Sequence, residues 1–363
     1  MKICFIGPAN SSHIVKWCVW FAQRGHEVHV VSFTQGKIEG AKVHLIDIGV
    51  DAGGSDLNKL RYLISGKRIK KVLFDIKPDV INVHYATSYG AAVALSGIRN
   101  YALSVWGADI YDFPRKSILH KSLLKYSLSK ASVLLSTSKA MANEAGKYTK
   151  KTFQITPFGV DLNLFNPNKR MRVEGDKDYI VGTVKSLSDK YGIKDILHAV
   201  SLVYSNTAIP IKLRIAGSGP KEKEYKLLAQ TLGIDKITTW LGYISQPQAA
   251  YEWANMDLAL IPSTLESESF GVSAVEAQAS GVPVIISDIP GLMEATSPGA
   301  TSIVVDRNNP KMLAEQIIRL YNDKQRSLRM GENGRRFVFD NYEMNQCFSH
   351  IETILKGISN KSW

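Results

Sequence analysis

The stretch Lys2-Ile-Cys-Phe-Ile-Gly-Pro-Ala-Asn-Ser-Ser-His-Ile-Val-Lys-Trp-Cys-Val-Trp-Phe-Ala-Gln-Arg-Gly-His-Glu-Val-His-Val-Val31 decides the architecture. Lys2–Gly7 is a short apolar run closed by Gly7-Pro8, which reads as a buried strand and its turn. Ile14, Trp17, Cys18 and Phe21 recur at spacings of three and four, the stripe of an amphipathic helix over 11–24. Ser11 or Ser12 can cap that helix and Gly25 can end it. Glu27–Val31 is strand-like again. Strand, helix and strand in that order predict a parallel pair, because a crossover helix returns the second strand in the direction of the first.

The same unit recurs outward along the chain. Strands are expected at 42–48, 80–83, 102–106, 132–136 and 153–156. The pattern then restarts, with strands expected at 179–183, 211–216, 237–241, 258–261, 284–287 and 301–305 and helices at 191–204, 220–232 and 271–280. The Asn-, Pro- and Gly-bearing stretch Gly159-Val-Asp-Leu-Asn-Leu-Phe-Asn-Pro167 suits a link. The fold class is therefore α/β, with two doubly wound Rossmann-like domains. The first is expected over 1–163 and the second over 164–342, with a last helix over 343–363 packing back on the first. A length of 363 residues suits two domains. Open α/β sheets bind ligands at the carboxyl ends of their strands. Two of them predict a cleft with one substrate per domain.

Composition narrows the class. The apolar fraction is 45% and the charged fraction 21%, ordinary for a folded soluble protein. Three cysteines, Cys4, Cys18 and Cys347, build neither a disulfide framework nor a four-thiolate zinc site. A reducing cytoplasm is the expected compartment. Met1-Lys2 leads straight into a strand, so no signal peptide is expected. No apolar run is long enough to span a bilayer. The net charge of +12 is lopsided: residues 1–165 carry 22 basic and 11 acidic side chains, and the rest is nearly balanced. Nucleic acid, an anionic membrane face and a phosphorylated substrate all fit such a field. The aromatic–basic interleaving of a nucleic-acid module is missing, so no nucleic acid partner is expected.

Chemistry concentrates in Pro262-Ser-Thr-Leu-Glu266-Ser-Glu268-Ser-Phe270-Gly271-Val-Ser-Ala-Val-Glu276-Ala-Gln-Ala-Ser-Gly281-Val-Pro-Val284. Ser269-Phe270-Gly271-Val272 leads from loop into helix, and a helix start offers N–H groups and a dipole to an anion such as a diphosphate. Glu268 and Glu276, with seven residues between them, can lie near one helix face. Carboxylates accept well from the paired hydroxyls of sugars and riboses. An exposed amphipathic helix is the plainer alternative for two such acids alone.

The run resembles the retaining nucleotide-sugar glycosyltransferases of the GT-B fold, sequence family 4, whose hallmark is a Glu, seven residues, a second Glu and a Gly-x-Pro-Val turn. The resemblance extends over nearly the whole chain. Gly25-His-Glu-Val28 is similar to the family's first helix-to-strand corner, and Pro157-Phe-Gly-Val-Asp161 with Phe165 and Pro167 to its interdomain link. Gly182-Thr-Val-Lys185 with Lys190 and Gly192 is similar to the start of its donor domain, and Gly217-Ser-Gly-Pro220 and Leu241-Gly242 to the segments that follow. The resemblance implies that Glu268 holds donor-sugar hydroxyls and acts in catalysis, that Glu276 holds the ribose, and that the backbone around Ser269, Phe270, Gly271 and Val272 receives phosphate. It implies that Lys185, where relatives usually carry Arg, and Lys190 neutralise the diphosphate. Fixed cations stabilise charge on a leaving diphosphate, though Lys lacks the fork of Arg. No dense Asp/His cluster appears, so no metal and no other cofactor are expected. Glu268→Ala is expected to abolish transfer with little change in melting.

The first domain is expected to take the acceptor. His13, in the loop after the first strand, can donate to a phosphate or hydroxyl or serve only in packing, and His84 at a later strand end is in the same position. Many relatives carry His-Gly where this chain has Trp106-Gly107. Trp exchanges no proton, so that His role does not carry over. Trp106 can stack on a sugar, and Asp109 can orient an acceptor hydroxyl as a catalytic group. Two basic stretches stand out. One holds Lys59, Arg61, Lys67, Arg68, Lys70, Lys71 and Lys77; the other holds Arg115, Lys116, Lys121, Lys125 and Lys130 with Ile118, Leu119, Leu123, Leu124 and Leu128 among them. The second reads either as a basic amphipathic helix on anionic lipid or as core leucines beside wet lysines.

Together these readings point to a retaining transferase moving a sugar from a nucleotide diphosphate-sugar, UDP by family weight, to a lipid-linked glycan acceptor on polyprenyl pyrophosphate. Surface-polysaccharide assembly, O-antigen or capsule, on the inner face of the cell membrane is the expected setting. A nucleotide-sugar epimerase of the same fold, or a silent nucleotide-sugar-binding scaffold, are the alternatives.

Overall fold

The computed structural model describes residues 1–48, 61–62, 64–172, 175 and 177–358. The chain folds as two units: Met1–Phe158 joined by the segment from Gln346, and Gly159–Asn345.

The first unit is built on a seven-stranded sheet: β1 Lys2–Ile6, β2 Glu27–Ser32, β3 Ala41–Leu45, β4 Val80–His84, β5 Ala102–Val105, β6 Val133–Ser136 and β7 Phe153–Ile155. Its order is β3-β2-β1-β4-β5-β6-β7, and every pairing is parallel. Ile3 pairs with Val28 on one side and Val80 on the other. β4 is buried along its whole length and β1 from Ile3 onward because helices cover both sides, and Cys4, Ile6, Ile81, Val83 and Leu103 share one core. The helix Ser12–Gln23 starts at Ser11, whose hydroxyl accepts from the His13 N–H, and buries Ile14, Trp17, Cys18, Trp20 and Phe21.

The second unit repeats the plan with six strands: β8 Tyr179–Val184, β9 Ile211–Ala216, β10 Thr238–Gly242, β11 Leu258–Ile261, β12 Val284–Ser287 and β13 Ser302–Val305. Its order is β10-β9-β8-β11-β12-β13, again all parallel. Val181, Leu213, Ile215, Leu258, Leu260 and Ile285 fill its core.

In each sheet the direction of strand succession reverses once, between β1 and β4 and between β8 and β11. That reversal opens a crevice beyond the carboxyl ends, which is where open α/β sheets hold ligands. Four of the expected site residues lie at or after these four strands, and Trp106 and Asp109 follow β5. His13 comes after β1 and His84 ends β4; Lys185 follows β8 and Glu268 lies in the loop after β11.

The unit boundary falls earlier than the link's composition indicated. Val160 bridges to Glu343; its N–H donates to the Tyr342 carbonyl at 2.8 Å, and the Met344 N–H donates to the Val160 carbonyl at 3.0 Å. Residues 159–163 are therefore tied to the second unit. The last helix, Met344–Ile358, buries Phe348 against Trp17 and Trp20 and sets Glu352 3.2 Å from Arg24 Nε and 3.0 Å from His26 Nε2.

Of the two basic stretches, Lys59 lies outside the described residues, and the first stretch's other lysines and arginines are exposed along and beside the helix Gly66–Ile76. The second forms the helix Ile118–Lys130. Leu124 and Leu128 are core, whereas Ile118 is 83% and Leu119 80% exposed at the helix start.

Candidate functional site

In the second unit the site is assembled from three loops and one helix. The helix Val272–Ala279 begins at Gly271, which has φ +71°. A Cβ there would come within 2.7 Å of Leu292 Cδ2, so glycine both permits the turn and lets it seat on the short helix Pro290–Glu294. Ser273 Oγ donates to the Val184 carbonyl at 2.8 Å and pins the helix start beside the end of β8. The first N–H groups of the helix have no acceptor within it, and its dipole favours an anion there.

Two lysines converge near this start. Lys185 Nζ donates to Glu268 Oε1 at 2.7 Å, and each side chain is less than a tenth exposed. Lys190 Nζ donates to the Ser267 carbonyl at 2.8 Å. Both ammonium groups also face the Tyr191 ring, at 4.8 and 5.3 Å from its centroid. Burial pushes the Tyr191 phenol above its ordinary pKa, with the Lys185 charge pulling the other way. Gly192, φ +66°, follows, and a Cβ there would sit 1.9 Å from the Pro262 carbonyl oxygen. The loop after β8 can thus lie directly on the loop after β11 only with glycine at that point.

Glu276 is buried one helix turn and more beyond Gly271, with Gln246 Nε2 3.5 Å from its Oε1. Ser269 and Phe270 are buried, and the Phe270 ring stands edge-on to Tyr342 at 5.3 Å. The structure therefore gathers Lys185, Lys190, Glu268, Ser269, Phe270 and Gly271 in one place, with Val272 opening the helix and Glu276 farther along it. Tyr191 and Gln246 are the additions that the sequence did not single out. A Tyr between a Lys and a Gly, and a Gln inside an ordinary capping box, carry no separate signal in one sequence.

At the carboxyl ends of the first sheet the residues form an aromatic cluster. His13 stacks on Phe158 at 3.8 Å and stands edge-on to Trp106 at 5.7 Å. His84 is fully buried, with Trp17 at 4.8 Å, Trp106 at 5.4 Å and Phe5 at 5.8 Å, and neither ring nitrogen has a hydrogen-bond partner among the described residues. Burial holds both imidazoles neutral, down to about 3 for His13 and about 3 for His84. Held neutral, neither ring brings a positive charge to this end of the sheet.

Asp109 has a different task from the acceptor-orienting one expected. It is fully buried. Its Oδ1 accepts from the Trp106 N–H at 3.1 Å and the Gly107 N–H at 2.8 Å, and its Oδ2 accepts from the Ala86 N–H at 2.9 Å. It ties the loop after β4 to the loop after β5 and so places Trp106. Burial raises its pKa despite these donors.

Among the described residues no group of three His, Cys, Asp or Glu side chains is arranged to hold a metal ion. None of the described helices is long and apolar enough to cross a membrane.

Two doubly wound parallel sheets of this kind are the architecture of the GT-B glycosyltransferases. Sequence comparison agrees: residues 2–138 match the family model "Glycosyl transferase 4-like" and residues 166–337 the model "Glycosyl transferases group 1". The chain belongs to these glycosyltransferases. It is 25% identical over 351 residues to N-acetyl-alpha-D-glucosaminyl L-malate synthase of Bacillus anthracis, covering 92% of this chain and 90% of that one. In fold it is similar to sucrose-phosphate synthase from Thermosynechococcus elongatus, with TM-score 0.84, 17% identity and 99% of both chains covered. It is likewise similar to Anabaena HepE in complex with UDP, with TM-score 0.81, 17% identity, and 98% and 100% covered.

Proposed function

We propose that this chain transfers a hexose, with retention, from a UDP-sugar to a glycan acceptor carried on polyprenyl pyrophosphate, in O-antigen or capsule assembly. The observation that carries the donor half is the convergence of Lys185, Lys190 and Glu268 on the start of the helix Val272–Ala279. The helix start and the lysines receive the diphosphate. Glu268 then holds the sugar's hydroxyls, and Glu276 takes the ribose. The UDP bound by HepE supports the choice of nucleotide. Charge growing on the leaving diphosphate is met by two fixed ammonium groups and a helix dipole, so transfer proceeds without a divalent ion. The acceptor attacks the face that the diphosphate leaves, and a leaving phosphate oxygen takes the hydroxyl proton. Trp106, His13 and His84 shape the acceptor side of the first unit, with Trp106 stacking on the acceptor sugar.

The acceptor's lipid rests on the surface of the first unit. Ile118 and Leu119 stand exposed beside Arg115, Lys116, Lys121 and Lys125, which suits reversible docking on the anionic inner face of the cell membrane. A small anionic acceptor is the second reading. The same basic unit suits it, and the B. anthracis relative is named for an L-malate conjugate.

One experiment separates the readings. Labelled nucleotide-sugars are incubated with the protein, with and without lipid extract, and with malate and inositol phosphate in parallel. Label in the lipid phase supports the proposal. Label on the small acid supports the second reading, and an isomerised donor or an unchanged one in every arm defeats transfer.

A further inference from the structure

Tyr191 ends the short turn Asp189–Tyr191, immediately before Gly192. Lys185 Nζ and Lys190 Nζ lie 4.8 and 5.3 Å from the centroid of its ring. Two like charges that share one ring repel each other, the more so when partly desolvated. Three groups offset that repulsion. The Glu268 carboxylate takes Lys185 and the Ser267 carbonyl takes Lys190. The negative π-system of the ring attracts both. Of these three, the ring alone faces both cations.

We infer that Tyr191 is a positioning residue that gathers Lys185 and Lys190 at one ring, ready to meet two linked phosphates, and thereby sets the preference for a nucleoside diphosphate over a monophosphate. The inference rests on the donor-site reading given above. A long lysine left to itself samples many rotamers and must be collected when the ligand arrives. A ring already in contact with both ammonium groups removes that step. A monophosphate needs only one of them, so it gains less from the arrangement.

The test is calorimetric titration of the full chain with UDP and with UMP. The wild type binds UDP more tightly than UMP. Tyr191→Leu weakens UDP about tenfold and leaves UMP within about twofold, as expected for loss of a partly desolvated cation–ring attraction. Tyr191→Phe keeps the ring and the preference. A series of fluorinated phenylalanines at position 191 keeps the shape while draining the ring's negative face; UDP affinity then falls with each fluorine. This series decides the question even where Tyr191→Leu fails to fold. Equal weakening of UDP and UMP, or fluorination without effect, overturns the inference and leaves the donor site standing. A wild type that binds no nucleoside diphosphate overturns both.

Discussion

Lys185 Nζ sits 2.7 Å from Glu268 Oε1, in a pair almost closed to solvent. That contact revises what substitution there should do. Removing one partner of a buried pair leaves the other as an uncompensated charge, which costs about 3–5 kcal/mol, whereas removing both is far milder. Glu268→Ala is therefore expected to lower the melting temperature as well as abolish transfer. Lys185→Met combined with Glu268→Gln should regain most of the melting temperature and none of the activity. Thermal melts of the two single variants and the double variant check this; single-variant melts at the wild-type value would show the pair contributes nothing to folding.

Asp109 accepts three backbone N–H bonds with no water-exposed oxygen. Asparagine keeps one acceptor oxygen and turns an NH2 toward a donor. A buried donor left without its acceptor costs about 1–3 kcal/mol. Asp109→Asn is expected to lower the melting temperature by several degrees and to raise the KM for acceptor through a displaced Trp106, with the KM for donor unchanged. A kinetic defect confined to kcat, with normal melting, would return Asp109 to a catalytic role.

Both His13 and His84 are held neutral by burial, to about 3 in the fold against an unfolded value of 6.5. The folded pKa is the lower one, so between these values the unfolded chain binds protons that the native chain does not. Stability is then full above about pH 6.5 and falls as the pH drops toward 3, with each histidine contributing about 1.4 kcal/mol per pH unit at most. Melting between pH 7 and pH 4.5 should show this slope, and His84→Phe, which keeps an aromatic ring among Trp17, Trp106 and Phe5, should flatten it by about half. A pH-independent melting temperature would show that neither imidazole is buried neutral.

Many of the strands were legible as short apolar runs beside turn residues, as in Lys2–Ile6 before Gly7-Pro8 and Leu258–Ile261 before Pro262, whereas the polar-interrupted run expected at 42–48 forms its strand over Ala41–Leu45. β8 to β13 lie within a residue or so of the stretches their composition indicated. The helix Val272–Ala279 was equally plain from the run between Ser269 and Gly281. The tasks of polar side chains were not. Whether Asp109 faces a ligand or three N–H groups depends on where the loops after β4 and β5 meet, which no local pattern encodes. The Lys185–Glu268 pair spans 83 residues of sequence, and Tyr191 matters only because two lysines fold over it. The boundary at Phe158 likewise depends on Val160 meeting Tyr342 and Glu343 from far along the chain.

If Lys185 and Lys190 neutralise the leaving diphosphate, a divalent ion is unnecessary. Transfer should persist, within about twofold, in excess chelator, because the fixed cations already supply the electrostatic stabilisation. Lys190→Ala should cut kcat/KM by about a hundredfold, as loss of one preorganised charge does elsewhere. Activity that vanished in chelator and returned with magnesium or manganese would assign that charge to a metal instead.

The exposed pair Ile118 and Leu119 sits at the start of a helix whose later leucines, Leu124 and Leu128, are core. Changing the first pair therefore leaves packing untouched. Ile118→Ser with Leu119→Ser should abolish flotation with anionic vesicles at low salt while leaving the melting temperature and donor hydrolysis as in the wild type. Each basic residue near an anionic surface contributes about 1 kcal/mol, so Lys121→Glu with Lys125→Glu should weaken vesicle binding by more than tenfold and make the remainder less steeply dependent on salt. Transfer to a lipid-linked acceptor falls in step with vesicle binding, whereas transfer to a detached, water-soluble acceptor analogue does not. Equal loss with both acceptors would place these residues in the acceptor site and not on the membrane.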